Sequence, residues 1–168
     1  RYDLAAVVSG CVDGYRLAYR NRAFSWEAPA QPVTVLGSPD LAAQMLDKLV
    51  SNANDFATPD TPIVVSLTLE EERGLLAVAN QGPTLNDDML GRLFTALVSF
   101  RSAGSAEEPH LGLGLYIVRL IAEHHGGSTG IANRTDPPGV MVWVRIPLAC
   151  RRRRSADCRF AANPPYGL

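Results

Sequence analysis

The succession of hydrophobic periods along this chain predicts an α/β fold, a two-layer sandwich with a mixed sheet and about three helices on one face. Two observations carry that expectation. Apolar residues recur at helical spacing in three separated stretches, and short apolar runs between them pair up as two hairpins. Their order is helix, strand, helix, two strands, long connection, helix, two strands, which places both kinds of element on one core. At 168 residues the chain makes one ordinary domain, residues 1–149, and a basic, disordered tail over 150–168.

Leu4, Val7, Val8, Cys11, Val12 and Tyr15 define the first helix within Tyr2–Tyr19. A loop rich in Ala and Pro follows, and Val33–Leu36 reads as a short strand. Ser38 and Pro39 then mark a helix start, as N-cap and first helical residue, and the second helix is expected to run to about Thr58. Its apolar stripe is Leu41, Met45, Leu46, Leu49, Val50, Ala53 and Phe56, with Gln44, Lys48, Asn52 and Asp55 on a separate polar row. Ile63–Leu69 and Leu75–Ala79 form one antiparallel hairpin across Glu70–Gly74. Thr84–Leu111 shows no single period, and connections of that length usually have a function. Leu113–His125 is the third helix, stopped by Gly126-Gly127, and Ser128–Asn133 with Val140–Ile146 is the second hairpin.

Composition narrows the function. A formal net charge of -1 argues against a generally basic nucleic-acid-binding face. No apolar run approaches the roughly 20 residues of a membrane helix. Cys11, Cys150 and Cys158 lack CxxC spacing, so neither a zinc site nor a disulfide framework is expected. A reducing cytoplasm is the simplest setting, and because the chain opens on Arg1 it is read as a piece of something longer.

Three places carry chemistry. A polar row opposite a core stripe is ordinarily a solvated face, yet the carboxamide of Asn52 can give Mg²⁺ an oxygen without adding charge. Asn80-Gln81-Gly82-Pro83 follows a strand and is explained by a turn alone, or by an amide aimed at the edge of a base with Gly82 letting the backbone come close. Gly112 and Gly114 precede a helix, where free N–H groups and the helix dipole form an anion site; a tight loop is the plainer reading. His124 and His125, at the end of that helix, suit dipole and capping roles, and Arg151–Arg154 a solvated tail.

Taken together and in order, these segments resemble the histidine-kinase branch of the ATPase superfamily that includes gyrase, the Hsp90 chaperones and MutL. Leu49–Phe56 resembles the N box, Asn80–Thr84 the G1 box, Leu93-Phe94 the F box, and Gly112–Leu115 through His125-Gly126-Gly127 the G2 box. The resemblance implies the Bergerat-type ATP-binding fold with an ATP lid, formed by Phe94 and Thr95–Leu111. It implies Asn52 as the magnesium ligand, Asn80 as reader of the adenine amino group, Gly82 as part of the base pocket, and Gly112 and Gly114 along the phosphates. Asp55, Phe94, His110, Leu111, Leu113 and Leu115 complete the implied nucleotide contacts, and Lys48 is the candidate catalytic residue. The cofactors implied are ATP and Mg²⁺. The implied activity is that of a protein-histidine kinase catalytic domain, delivering the γ-phosphate to a histidine on a separate dimerisation hairpin.

The partners that go with it are that hairpin and a response regulator, with no nucleic acid, for a monomeric domain of a homodimeric parent anchored in the bacterial inner membrane. The sensor kinase of the proteobacterial dedicated sortase systems is a similar subgroup. Asn80 stands where the family usually has Asp, Thr84 replaces the second G1 glycine, and His110 the first G2 glycine. Lys48 stands where Asn is usual, and Asp55 where Lys or His is. These departures keep a rival open, a degenerate nucleotide-binding regulatory module without phosphotransfer.

Overall fold

The computed structural model describes residues 1–86, 90, 93, 94 and 113–149. The expected lid, Thr95–Leu111, and the tail from residue 150 lie outside them. Three helices are described: α1 (Leu4–Ala18), α2 (Pro39–Phe56) and α3 (Gly114–His124). The strands are β1 (Tyr2–Asp3), β2 (Phe24–Glu27), β3 (Thr34–Val35), β4 (Ile63–Glu70), β5 (Arg73–Gln81), β6 (Ser128–Thr135) and β7 (Pro138–Pro147). β1 and β3 make a two-stranded sheet, and the other five run in the order β2-β4-β5-β7-β6. Only the β2–β4 pair is parallel, so the sheet is mixed, as expected.

Two strands are not among the expected elements: β1, two residues at the start of the first helical stretch, and β2. Phe24-Ser25-Trp26-Glu27 lies in what reads as an Ala/Pro loop, and four residues are too few for a period to emerge. Its place comes from pairing Phe24 with Ile63 and Glu27 with Ser66, a contact 39 residues away in the chain. The second hairpin is also tighter than expected. β6 and β7 reach Thr135 and Pro138, leaving only Asp136 and Pro137, joined by a cis peptide bond, at the turn.

The two faces of the large sheet differ. Alternate residues, among them Ile63, Val65, Leu67, Leu76, Val78, Val142, Val144 and Ile146, are buried with the helices' apolar stripes. On the opposite face Arg145 lies over the Trp143 ring at 4.2 Å and reaches Glu70 at 2.8 Å. Gly130, in register with Trp143, leaves room that a Cβ would fill.

Helix ends follow local rules. Ser38 Oγ accepts from Leu41 N at 3.4 Å, with Pro39 at the first helical position. At the end of α3, Gly126 takes φ 70°, its N–H bonds the Glu123 carbonyl at 2.9 Å, and the Gly127 N–H bonds the Ala122 carbonyl at 2.8 Å. That pair of bonds is a Schellman stop. α1 is clasped to α2 by the Tyr15 hydroxyl, which donates to Asp47. Burial, and next that bond, hold the Tyr15 phenol above its ordinary range; burial first and Asp47 second push the Cys11 thiol up.

His125 ties three elements together. It is buried at 7% exposure, and its Nδ1 lies 2.8 Å from the Ile121 carbonyl, which can only accept. Nδ1 therefore carries the proton, and Nε2 accepts from Ser38 N at 3.3 Å and from the Tyr2 hydroxyl at 3.4 Å. The capping role expected of this histidine holds for α3, and the same ring also secures the start of α2.

Candidate nucleotide-binding site

The contact between His125 and Ser38 sets the geometry of the site. It joins the end of α3 to the start of α2, and the two helices pack along each other, so they run antiparallel. α3 has 11 residues, a length of about 16 Å at 1.5 Å per residue. Eleven residues beyond Ser38 on α2 is Leu49, three short of Asn52. By this count the start of α3 lies opposite Leu49, about one helical turn before Asn52.

Along the polar row of α2, Gln44, Lys48 and Asp55 are exposed, whereas Asn52 is half-buried. Its carboxamide makes no hydrogen bond with another described residue. Lys48 has no ion-pair partner among the described residues and does not pair with Asp55, which is engaged elsewhere. No group of three His, Cys, Asp or Glu among the described residues could hold a metal. The Asn52 carboxamide oxygen could serve a magnesium ion as one neutral ligand, with water and phosphate as the others.

Asn80 lies near the end of β5, 4% exposed and in register with Val140 on the helix-covered face. Its Nδ2 donates to the Gln81 carbonyl at 3.3 Å, and no described residue donates to Oδ1. Gly82 has a reason of its own to lack a side chain, since a Cβ there would run into the Phe56 carbonyl at the end of α2. A glycine here thus lets β5 close against α2, a structural reason that stands beside the base-pocket role the resemblance implies. Thr58 N donates to the Gln81 carbonyl at 2.8 Å and seals the same junction.

The start of α3 is built differently. Leu113 occupies the N-cap position without a side-chain cap, and a Cβ added at Gly114 would meet nothing within 4 Å. The first N–H groups of α3 have no described side-chain partner, which is the condition for an anion site. Leu115 is buried and belongs to the core, so its side chain is packing and only its backbone faces the question of a ligand. Phe94 is half-buried against the core. His110, Leu111 and Gly112 lie outside the described residues.

Two residues that motif reading overlooked hold this site in place. Arg22 donates to Asn54 Oδ1 at 3.1 Å and to the Thr58 and Thr61 carbonyls at 2.8 and 3.0 Å, clamping the end of α2. Asn133 on β6 bonds both backbone groups of Leu85. Neither sits in a recognisable motif, and their partners are 32 to 48 residues away, so no local signal points to them.

Residues 37–150 match the family described as Histidine kinase-, DNA gyrase B-, and HSP90-like ATPase. The sensor protein BasS of Escherichia coli K12 is 32% identical over 117 residues, covering 70% of this chain and 31% of BasS. ChvG, a sensor protein of Agrobacterium fabrum, is 32% identical over 125 residues, covering 73% of this chain and 21% of ChvG. The chain thus spans about a third or less of the length of these relatives. The mycobacterial sensor histidine kinase MprB superposes with a TM-score of 0.75 at 23% identity, over 88% of this chain and 97% of that one. Full-length ShkA in complex with AMPPNP gives 0.72 at 23% identity, over 89% and 31%. At those identities the superpositions speak for the fold alone, the two-layer sandwich described above. On the match of residues 37–150, the chain belongs to the histidine kinase-, DNA gyrase B- and HSP90-like ATPase family.

Proposed function

We propose that this chain binds ATP with Mg²⁺ between α2, the end of β5 and the start of α3, and presents the γ-phosphate to a histidine on a separate helical hairpin. The observation that carries the reading is the uncapped start of α3, which the antiparallel helix pair places opposite Leu49, about one turn from Asn52. Open N–H groups favour phosphate, and an unengaged carboxamide suits a hard cation. At the other end, the Asn80 Oδ1 can accept from the adenine amino group as a carboxylate would, without the charge.

In this arrangement Asn52 orients the metal, the α3 backbone holds phosphate oxygens, and the Asn80–Gly82 turn fixes the base. Mg²⁺ would neutralise charge on the transferring phosphoryl group. Positioning then supplies most of the catalysis, and no nucleophile on this chain is needed. BasS and ChvG are sensor proteins several times longer than the matched segment, which suits a catalytic domain working on an acceptor hairpin and a response regulator.

The acceptor is not on the described part of the chain. His125 is buried, and both it and His124 end a helix whose start lies about 16 Å away, too far for in-line attack. Incubation with radiolabelled ATP tests this. The chain alone should take up no acid-labile label, and a supplied histidine hairpin should become labelled. Stoichiometric phosphohistidine on the chain alone overturns the division of labour, and ATP binding without transfer to any hairpin favours the regulatory module.

A further inference from the structure

β6 is one of the two edge strands of the large sheet, and its Asn133 side chain does what a neighbouring strand's backbone would do. Nδ2 donates to the Leu85 carbonyl at 2.7 Å, and Oδ1 accepts from the Leu85 N–H at 2.8 Å. One carboxamide thereby meets both main-chain groups of a residue 48 positions away. Both residues are half-buried, where a lost hydrogen bond is replaced by water less freely than at the surface.

The stretch pinned by this clamp follows directly on the Asn80–Gly82 turn proposed to hold the base. Gln81 pairs with Gly139, and Gly82 N donates to the Pro138 carbonyl at 3.1 Å. Residues 83, 84 and 86 then make no backbone hydrogen bond with a described residue, and the Leu85 pair is what holds the far end. Asn133 also shares a row of the sheet with Val140 and Asn80, so the clamp and the proposed base reader are joined through two strand registers. A stretch tied at Gly82 and again at Leu85 cannot swing; one tied only at Gly82 can.

We infer that Asn133 is a positioning residue for the nucleotide: through the backbone of Leu85 it holds the Gly82–Leu85 stretch closed over the base. The inference rests on the nucleotide reading above. It concerns the base end, so cutting the clamp should weaken ADP and ATP by the same factor and leave the magnesium dependence alone.

The test uses the full 168-residue chain. Calorimetry with ADP and with Mg-ATP on Asn133→Ala should show roughly five- to tenfold weaker binding of both, on the scale of one or two lost hydrogen bonds. Amide exchange on the empty protein should show the Leu85 N–H unprotected while Val142 and Val144 stay protected. A residue that only stabilised the fold would lower the melting temperature and leave nucleotide affinity of the folded chain unchanged. If Asn133→Ala does not fold, Asn133→Ser, whose hydroxyl can keep one of the two bonds, should show a smaller loss of affinity.

Asn52→Ala run alongside separates the two levels of the claim. A parent chain that binds Mg-ATP, loses it with Asn52→Ala and is indifferent to both Asn133 variants overturns the inference and spares the site. A parent chain that binds no nucleotide, or binds Mg-ATP equally well with Asn52→Ala, overturns both.

Discussion

The starts of α2 and α3 face the same physical problem and meet it in opposite ways. Each leaves N–H groups that the helix cannot satisfy. At α2 the protein supplies the partners: Ser38 Oγ accepts from Leu41 N, Pro39 removes one donor, and the Ser38 N–H goes to His125. At α3 Leu113 supplies no side-chain cap, and the first helical residue is a glycine at which an added Cβ would meet no described residue within 4 Å. A closed start serves the fold. An open one costs stability in the empty protein that a bound anion would restore, which is why the proposed phosphate end is placed there.

The comparison can be broken at several points. The largest effect is expected on α2 itself: if the open start of α3 takes phosphates with their metal, Asn52→Ala should weaken Mg-ATP by about 10–100-fold, at least the loss seen when a metal ligand's own support is removed. Titration with and without magnesium checks this, and a variant that keeps the full magnesium effect removes Asn52 from the site.

Asn80→Leu tests whether the pocket extends from that open start to a base. It should cost about 1–3 kcal/mol of ATP affinity by leaving the adenine amino group unpaired, while Asn80→Asp keeps or improves binding. Equal affinity for ATP and GTP in the parent chain would show that Asn80 reads no base.

Capping α3 artificially sharpens the contrast further. Leu113→Asp should stabilise the empty chain by about 0.5–1 kcal/mol and weaken ATP about tenfold, because a carboxylate would stand where phosphate is expected. Ser38→Ala, at the closed start, should cost about 1 kcal/mol of stability without changing the affinity of the folded chain for nucleotide. Melting curves with and without Mg-ATP distinguish the pair: opposite signs are expected at α3, a uniform drop at α2.

The smallest effect concerns the α1–α2 clasp, remote from either start. Tyr15 is raised above its ordinary pKa of 10.0, so its contribution is complete below about pH 10 and declines as the pH rises beyond that, where the unfolded chain loses the proton first. Tyr15→Phe should remove that alkaline slope and cost only about 0.5–1 kcal/mol, since the bond to Asp47 is solvent-screened. Denaturation at pH 8 and pH 11 measures both terms.

Helix stops and starts were legible in the sequence because they are local. Ser38-Pro39 and Gly126-Gly127 state their own geometry within two or three residues, and the structure has a cap and a Schellman stop at those places. The long strands were legible because seven or more residues suffice to display alternation. β2 was not, since Phe24–Glu27 is a strand only by virtue of Ile63–Ser66 beside it. Gly82 reads in the sequence as a turn or as part of a base pocket, and the Phe56 carbonyl that a Cβ there would meet is a neighbour only the fold supplies.

Local sequence specifies the parts: three amphipathic helices, two hairpins, and the order of an Asn-bearing helix, an Asn-Gln-Gly turn and a glycine-led helix. Periodicity and capping are short-range effects and are written where they act. Only the tertiary structure decided which of those parts meet. His125 bonds Ser38 across the antiparallel pair α2 and α3; Arg22 clamps Asn54 and Thr58; Asn133 clamps Leu85. Each is a hydrogen bond between residues 32 to 87 positions apart, and such a bond forms only once packing has brought its two ends together.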